Sequence, residues 1–223
     1  MRSIFRALCL IAVLLPCPAW AVTDNFDTGT NGDLLSTYSV NWAIAWSTEV
    51  NEARIRKPAS EAGVGTDGFH DAAMYVGRTW ANDQYSQVAI IDTTAFLVAA
   101  CVRMDTGGST RTGYCGGYDN EALGHNRYTI FKWVSGTLTT LATHGSTTAA
   151  NSDVIKLTVT GTSLSLSVNG TPDVVTATDS DIASGNAGIN INGASTTLRY
   201  LDDWAGDDVS STPTNFFQRR IQP

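Results

Sequence analysis

At 223 residues, with 43% hydrophobic and 16% charged side chains, the chain has ample material for a core and is not a disordered polypeptide. Its length fits one all-β domain or at most two small ones. A formal net charge of −7, which deepens if Arg2 and Arg6 leave with an N-terminal leader, repels phosphate backbones and anionic lipid and so disfavours nucleic acid and the membrane surface as partners.

Residues 1–21 read as a cleaved secretory signal. Arg2 and Arg6 precede the apolar run Ala7–Leu15, and Ala19-Trp20-Ala21 supplies an A-x-A cleavage site. The run is short of the ~20 residues a spanning helix needs, so no membrane insertion is expected. A competing lipoprotein box at Leu14-Leu15-Pro16-Cys17 has Pro16 where a small residue belongs. The mature chain is therefore expected to be secreted or periplasmic.

Period-two alternation then recurs along the chain while helical periodicity is nearly absent. Strands are expected at Tyr38–Trp46, Ala53–Lys57, Ala72–Val76, Gln84–Asp92, Phe96–Met104, Thr112–Tyr118, Arg127–Val134, Thr137–His144, Val154–Gly161, Ser163–Val168, Thr171–Thr176, Ala187–Ile191 and Leu198–Trp204. Asn169-Gly170 is the residue pair a tight type I′ hairpin needs, and Ser135-Gly136 and Gly161-Thr162 mark further turns. With Cys9 and Cys17 lost in the leader, Cys101 and Cys115 remain in an oxidising compartment. A hairpin centred on Gly108 sets these two equidistant residues opposite each other, which predicts a cross-strand disulfide. Many short strands in one chain indicate an all-β, two-sheet antiparallel jelly-roll sandwich over residues 22–208, followed by a short polar tail, 209–223.

Several segments, in order, resemble the concanavalin A-like lectin/glucanase superfamily in its laminin-G-like jelly-roll branch. They are Asp24-Asn25-Phe26-Asp27, Asn82–Val88, the Val102-Arg103 strand end, Tyr128–Val134 with its Ser135-Gly136 turn, Leu164–Gly170, and the closing Leu201-Asp202-Asp203-Trp204. The resemblance implies two curved antiparallel sheets, adjacent terminal strands and a concave face that often holds glycans. It does not by itself imply binding or catalysis.

Hydrolytic members carry E-x-D-x-x-E or E-x-D-x-E strand motifs that set paired carboxylates on one sheet face. None of Glu49, Glu52, Glu61 and Glu121 lies in such a motif. A polysaccharide lyase needs a neutralising group and a base, and Gly124-His125-Asn126-Arg127-Tyr128 brings candidate residues together, although a polar loop entering a strand reads the same way. Asp24 and Asp27, which the resemblance places beside Asp203 near the C-terminus, are candidate ligands for a structural calcium; solvated acids are the plainer reading.

Sugar binding needs an aromatic platform with hydrogen-bonding side chains nearby. Trp80, flanked by Arg78 and Asn82 in a loop, is the leading candidate; Arg103, His125, Arg127 and Trp133 follow, and Trp42, Trp46 and Trp204 are expected between the sheets. Arg103 is expected on the outer or concave face of its strand, with a salt bridge to a loop aspartate as the alternative. A secreted glycan-binding domain without catalytic machinery is the first reading. A lyase or hydrolase with a non-standard site and a surface module for a protein partner are the others.

Overall fold

The computed structural model describes residues 21–46, 53–56, 63–65, 71–91, 97–105, 111–120, 126–145, 147–192 and 201–209. Their strands are β1 (Val22–Asp24), β2 (Trp42–Trp46), β3 (Arg54–Arg56), β4 (Gly63–Gly65), β5 (Asp71–Tyr75), β6 (Gln84–Ile90), β7 (Leu97–Met104) and β8 (Gly113–Asp119). They continue with β9 (Arg127–Val134), β10 (Thr137–Thr143), β11 (Val154–Thr160), β12 (Ser163–Val168), β13 (Thr171–Thr178), β14 (Asn186–Asn192) and β15 (Leu201–Asp208). One short helix, α1 (Leu35–Tyr38), takes the start of the stretch expected as a strand from Tyr38, and the strand itself begins at Trp42. The expected leader up to residue 20, all four glutamates, His70, His125 and most of the tail lie outside the described residues.

The strands form two antiparallel sheets of a jelly-roll sandwich. The eight-stranded sheet runs β13-β12-β11-β6-β15-β4-β3, with β1 pairing on β15; the seven-stranded sheet runs β10-β9-β8-β7-β14-β5-β2. The adjacency of terminal strands is realised, Asp24 standing opposite Trp204. Local chemistry fixes several registers. Asn169 and Gly170 adopt φ of 50° and 76°, and Ser135 and Gly136 adopt 49° and 84°, which gives both hairpins the primed turns that match strand twist. Across β7 and β8 the pairing puts Cys101 opposite Cys115, and the disulfide is present, with Cα atoms 4.1 Å apart.

Between the sheets lies the main core. Val98, Ala100, Val102, Tyr114, Tyr118, Ile130, Ile189 and Ile191 from the seven-stranded sheet meet Val88, Ile155, Leu157, Val159, Leu164, Leu166 and Trp204 from the other. Each fully buried aliphatic side chain contributes about 1.5–3 kcal/mol. The other face of the seven-stranded sheet is apolar too: Leu97, Ala99, Cys101, Cys115, Met74, Met104, Phe131, Trp133, Ala45 and Trp46 form a second buried cluster. Trp46, expected between the sheets, belongs to this outer cluster because the register slips between Ile44 and Trp46 and turns its side chain over.

A second slip governs Arg103. Cys101 pairs with Gly188 and Met104 with Asn186, leaving Val102 and Arg103 opposite Ala187 alone. Met104 takes the outer position that alternation assigned to Arg103, whose φ is 51°. The arginine is not on an open face: it is 3% exposed, and its guanidinium donates to the carbonyls of Asn82, Ile182 and Gly161, each at 2.8 Å. Asp83 stands 3.6 Å away, so the expected aspartate partner is present but secondary.

The same end of the sandwich carries a second polar knot. The Lys132 ammonium lies between the carboxylates of Asp179 and Asp181, and the Tyr114 hydroxyl donates to Asp179 at 2.6 Å while accepting from the Ile182 N–H. Burial alone would raise the Asp179 carboxyl, but the bonds from Lys132 and Tyr114 outweigh it and hold it below the ordinary range. Burial, reinforced by the bond to Asp179, pushes the Tyr114 hydroxyl up to about 12. A depressed carboxylate stabilises the fold above its unfolded value, ~3.9, and that contribution is lost as pH falls through the folded one. A raised phenol stabilises below its unfolded value, ~10, and its contribution is lost as pH rises through about 12. Urea stability is therefore expected to be flat between about pH 5 and 9 and to fall on both sides, with a shallower acid limb in Asp179→Asn. An acid limb unchanged by that substitution contradicts the assignment.

Candidate functional site

The loop expected to bind sugar is a packed corner. Trp80 is half-buried, its indole N–H donating to the Tyr75 carbonyl at 2.8 Å and its ring edge-on to Tyr75 and Trp204. The Arg78 guanidinium lies 4.8 Å from the Trp80 ring centroid and forks onto Asp207 at 2.8 Å and Asp208 at 2.5 Å. Asn82 is exposed, and its carbonyl receives Arg103. These groups hold the crossover from β5 to β6 against the end of β15, leaving the Arg78 fork already occupied.

The residues expected for lyase chemistry do not converge. Arg127 reaches Asp119 at 3.3 Å, whereas Tyr128, the next residue, faces the main core and donates to Asp153 at 3.0 Å. Burial, with the bond to Asp153, pushes the Tyr128 hydroxyl well above its usual value, the wrong direction for a base. His125 lies outside the described residues.

Trp133 leads to a different surface, the outer face of the seven-stranded sheet. The ring of Trp46, on edge strand β2, ends 3.4 Å from where a side chain on Gly113 of β8 would begin. In a flat sheet those strands, four apart, would be separated by about 19 Å, so the sheet curls and this face is concave. Its floor is made of small residues, Ala72, Ala99, Gly117 and Gly188, in adjacent strands. Gly117 is required there, because a Cβ would stand 2.0 Å from the Val98 carbonyl oxygen. Trp46, Trp133, Phe131 and Met104 provide aromatic and thioether walls. Arg111 lies over Trp133, 4.6 Å from the ring centroid; burial lowers its guanidinium pKa, and the charge of Asp71 acts the other way.

Asn190 and Asn192 alternate with the core residues Ile189 and Ile191, so both project onto the concave face. Among the described residues, this face holds buried polar atoms with no hydrogen-bond partner. Among them are the Trp46 indole nitrogen, on a side chain 1% exposed, and the Asn190 carbonyl oxygen, on a side chain 0% exposed. The Asn190 amide makes only a 3.4 Å bond to the Asp71 carbonyl. Sequence reasoning reached Trp133 but missed Trp46, Arg111, Asn190 and Asn192. The one available signal was the Ile-Asn-Ile-Asn alternation at 189–192, whose polar half falls on a face that is buried. The eight-stranded sheet carries open depressions too: one of about 690 Å³ at Ser163, Ser165, Asp173 and Thr178, one of about 480 Å³ at Asp24, Gln87, Asp203 and Trp204, and one of about 440 Å³ at Gln87, Lys156 and Ser167.

Among solved structures the chain is similar to the CBM66 carbohydrate-binding module from Bacillus subtilis, at 14% identity and TM-score 0.58 over 75% of this chain and 96% of the module. It is also similar to the potassium-bound carbohydrate recognition domain of Emp46p, at 10% identity and TM-score 0.54, over 84% and 96% of the two chains. A third likeness is to a Bacillus subtilis protein of unknown function with a galectin-like fold, at 12% identity and TM-score 0.53, over 80% and 97%. No protein-family model matches the sequence, and no curated protein sequence matches it. At these identities the likenesses show the fold alone, a galectin-like jelly-roll sandwich.

Asp24, one of the expected calcium ligands, is held by hydrogen bonds. Both oxygens of Asp24 are engaged, Oδ1 accepting from the Phe26 N–H at 2.9 Å and the Tyr38 hydroxyl at 2.8 Å, Oδ2 from the Trp42 indole at 2.8 Å. Asp27 accepts from Asn25, and among the described residues no three His, Cys, Asp or Glu side chains group closely enough to hold an ion. Asp203, in left-handed backbone at φ 47°, stands beside Asp24 across the β1–β15 pairing without completing such a group. Asp24 is a hydrogen-bond hub that fixes Trp42 and Tyr38 at the edge of the core. Asp24→Ala is expected to cost about 2–4 kcal/mol in chemical denaturation, equally with calcium or with chelator, because it strands three donors. A loss that appears only when calcium is present contradicts this role.

Proposed function

We propose that this chain is an exported carbohydrate-binding domain that holds a glycan on the concave face of its seven-stranded sheet. The observation that carries the reading is the pair of buried, unpartnered polar atoms at Trp46 and Asn190, one a donor and one an acceptor, on the same aromatic-walled face. Leaving such a group unmade costs about 1–3 kcal/mol, and native structures hold few of them. A sugar hydroxyl donates and accepts at once, so a pair of ring hydroxyls satisfies both atoms while an apolar ring face lies against Trp133. Two of the solved structures that share the fold are a carbohydrate-binding module and a carbohydrate recognition domain, which supports the same class of ligand.

The finer assignments belong to this reading. The laminin-G-like branch, a leader at 1–21, a domain at 22–208 and a tail at 209–223 fit an exported module, and the Cys101–Cys115 disulfide suits an oxidising compartment. Affinity for a single unaided site is expected in the millimolar to micromolar range, about −4 to −8 kcal/mol.

Glycan-array screening followed by calorimetry tests the proposal. Asn190→Ala is expected to abolish binding while leaving the ligand-free protein as stable as before or more so, since it removes a buried acceptor that the protein does not satisfy. Trp133→Ala is expected to lose binding and also stability, by about 3–5 kcal/mol. A blank array with folded protein, or glycan binding untouched by Asn190→Ala, overturns the assignment.

A further inference from the structure

An edge strand exposes a row of unpaired backbone donors and acceptors, and proteins blunt such edges with charge, proline or irregular backbone. Three of the four strands that end the two sheet paths follow that rule. β13 carries Pro172 and Asp173, the latter at φ 54°. β3 is flanked by Arg54 and Arg56, with Leu34 bridged to Arg54. β2 is interrupted by its slip at Ile44 to Trp46. β10 is different. Among the described residues it is hydrogen-bonded on one side only, to β9, and from Trp133 to Thr143 the sequence contains no charged residue and no proline. Its irregularity falls at Leu141, beyond a regular stretch from Thr137 to Thr140. Within that stretch Leu138 is 47% exposed, one of the large apolar side chains left on the surface.

The turn geometry says which backbone groups are free. In a two-residue hairpin the pair that closes the turn is hydrogen-bonded, so Val134 and Thr137 bond to each other, and alternation makes Thr139 bond inward to Lys132. The N–H and C=O groups of Leu138 and Thr140 therefore point away from the sheet. Two donors and two acceptors one residue apart are self-complementary under a two-fold axis through Thr139.

We propose that β10 pairs antiparallel with β10 of a second copy of this chain, joining two seven-stranded sheets into one continuous sheet. Leu138 then faces the partner's Thr140 through two backbone hydrogen bonds, and Thr140 faces the partner's Leu138 through two more. Thr139 and the partner's Thr139 form the close, non-hydrogen-bonded pair on the axis. Charge selects this edge: two copies each carrying −7 repel broadly, and β10 is where they can meet without placing like charges together. Leu138 and Thr140 lie on the same face as Trp133 and Phe131, and a two-fold axis normal to the sheet keeps both concave faces on one side. On the glycan reading, that arrangement lets one polymer engage two sites; the pairing itself does not depend on it.

Sedimentation equilibrium and light scattering on the full chain, across protein concentration and salt, test the pairing. The expected result is a mass that doubles with concentration and does so more readily as salt screens the repulsion. Thr140→Pro, which removes an outward N–H, and Leu138→Lys, which charges the edge, should each return the mass to that of a monomer with an unchanged circular dichroism spectrum. Thr139→Cys should form an intermolecular disulfide under mild oxidation. A monomer at every concentration and salt, or a dimer that survives both Thr140→Pro and Leu138→Lys, overturns the proposal.

Discussion

The arginine at the bulge of β7 is the constraint on which the sandwich end depends. A side chain at φ 51° costs about 1–3 kcal/mol of backbone strain, and a buried guanidinium without partners would cost more. Against this stand three charge-assisted bonds to carbonyls from three different connections, each worth about 1.5–3 kcal/mol. The bonds win, and in doing so they tie the start of β6, the β11–β12 turn and the segment before β14 to one point between the sheets. Gln84 completes the knot, its amide donating to the carbonyls of Ala81 and Gly185 while its oxygen accepts from the Arg103 N–H. Gly185 is obligatory there, because a Cβ would stand 2.4 Å from the Arg103 carbonyl carbon.

The same bulge shapes the candidate site. By sending Arg103 to the end of the sandwich it hands the outer position to Met104, and the slip in β2 likewise hands Trp46 to the outer face. Two one-residue irregularities thus convert what alternation would make a mixed surface into an apolar recess. The disulfide lies in that recess, and Asn190 and Asn192 are the polar groups placed within it by β14. A sheet buried on both faces is unusual for an antiparallel sandwich. Here its second face is where the unmade hydrogen bonds collect.

Much of the architecture was legible in the chain. The hairpin turns follow from Asn169-Gly170 and Ser135-Gly136, the disulfide from the equidistance of Cys101 and Cys115 about Gly108, and the main core from alternation in 154–168. The candidate site was not legible for a definite reason. Alternation reports which residues share a face only until a bulge intervenes, and bulges sit at both Trp46 and Arg103, the two positions whose faces were misjudged. Exposed-looking composition misled in the same way at Trp80. A loop tryptophan beside arginine and asparagine looks available until Asp207 and Asp208, far away in sequence, claim the arginine. The three-residue strands β1, β3 and β4 carry too little pattern to announce themselves fully; only β3 was anticipated, within Ala53–Lys57.

The concave face as ligand surface is most directly tested by side-chain NMR on labelled protein titrated with a glycan that binds. The account predicts that the Trp46 indole N–H resonance and the Asn190 side-chain amide shift together and saturate at the same ligand concentration, while the Trp80 indole, hydrogen-bonded to Tyr75, stays in place. Saturable shifts confined to Trp80 and the eight-stranded sheet, with Trp46 and Asn190 unmoved, would contradict it.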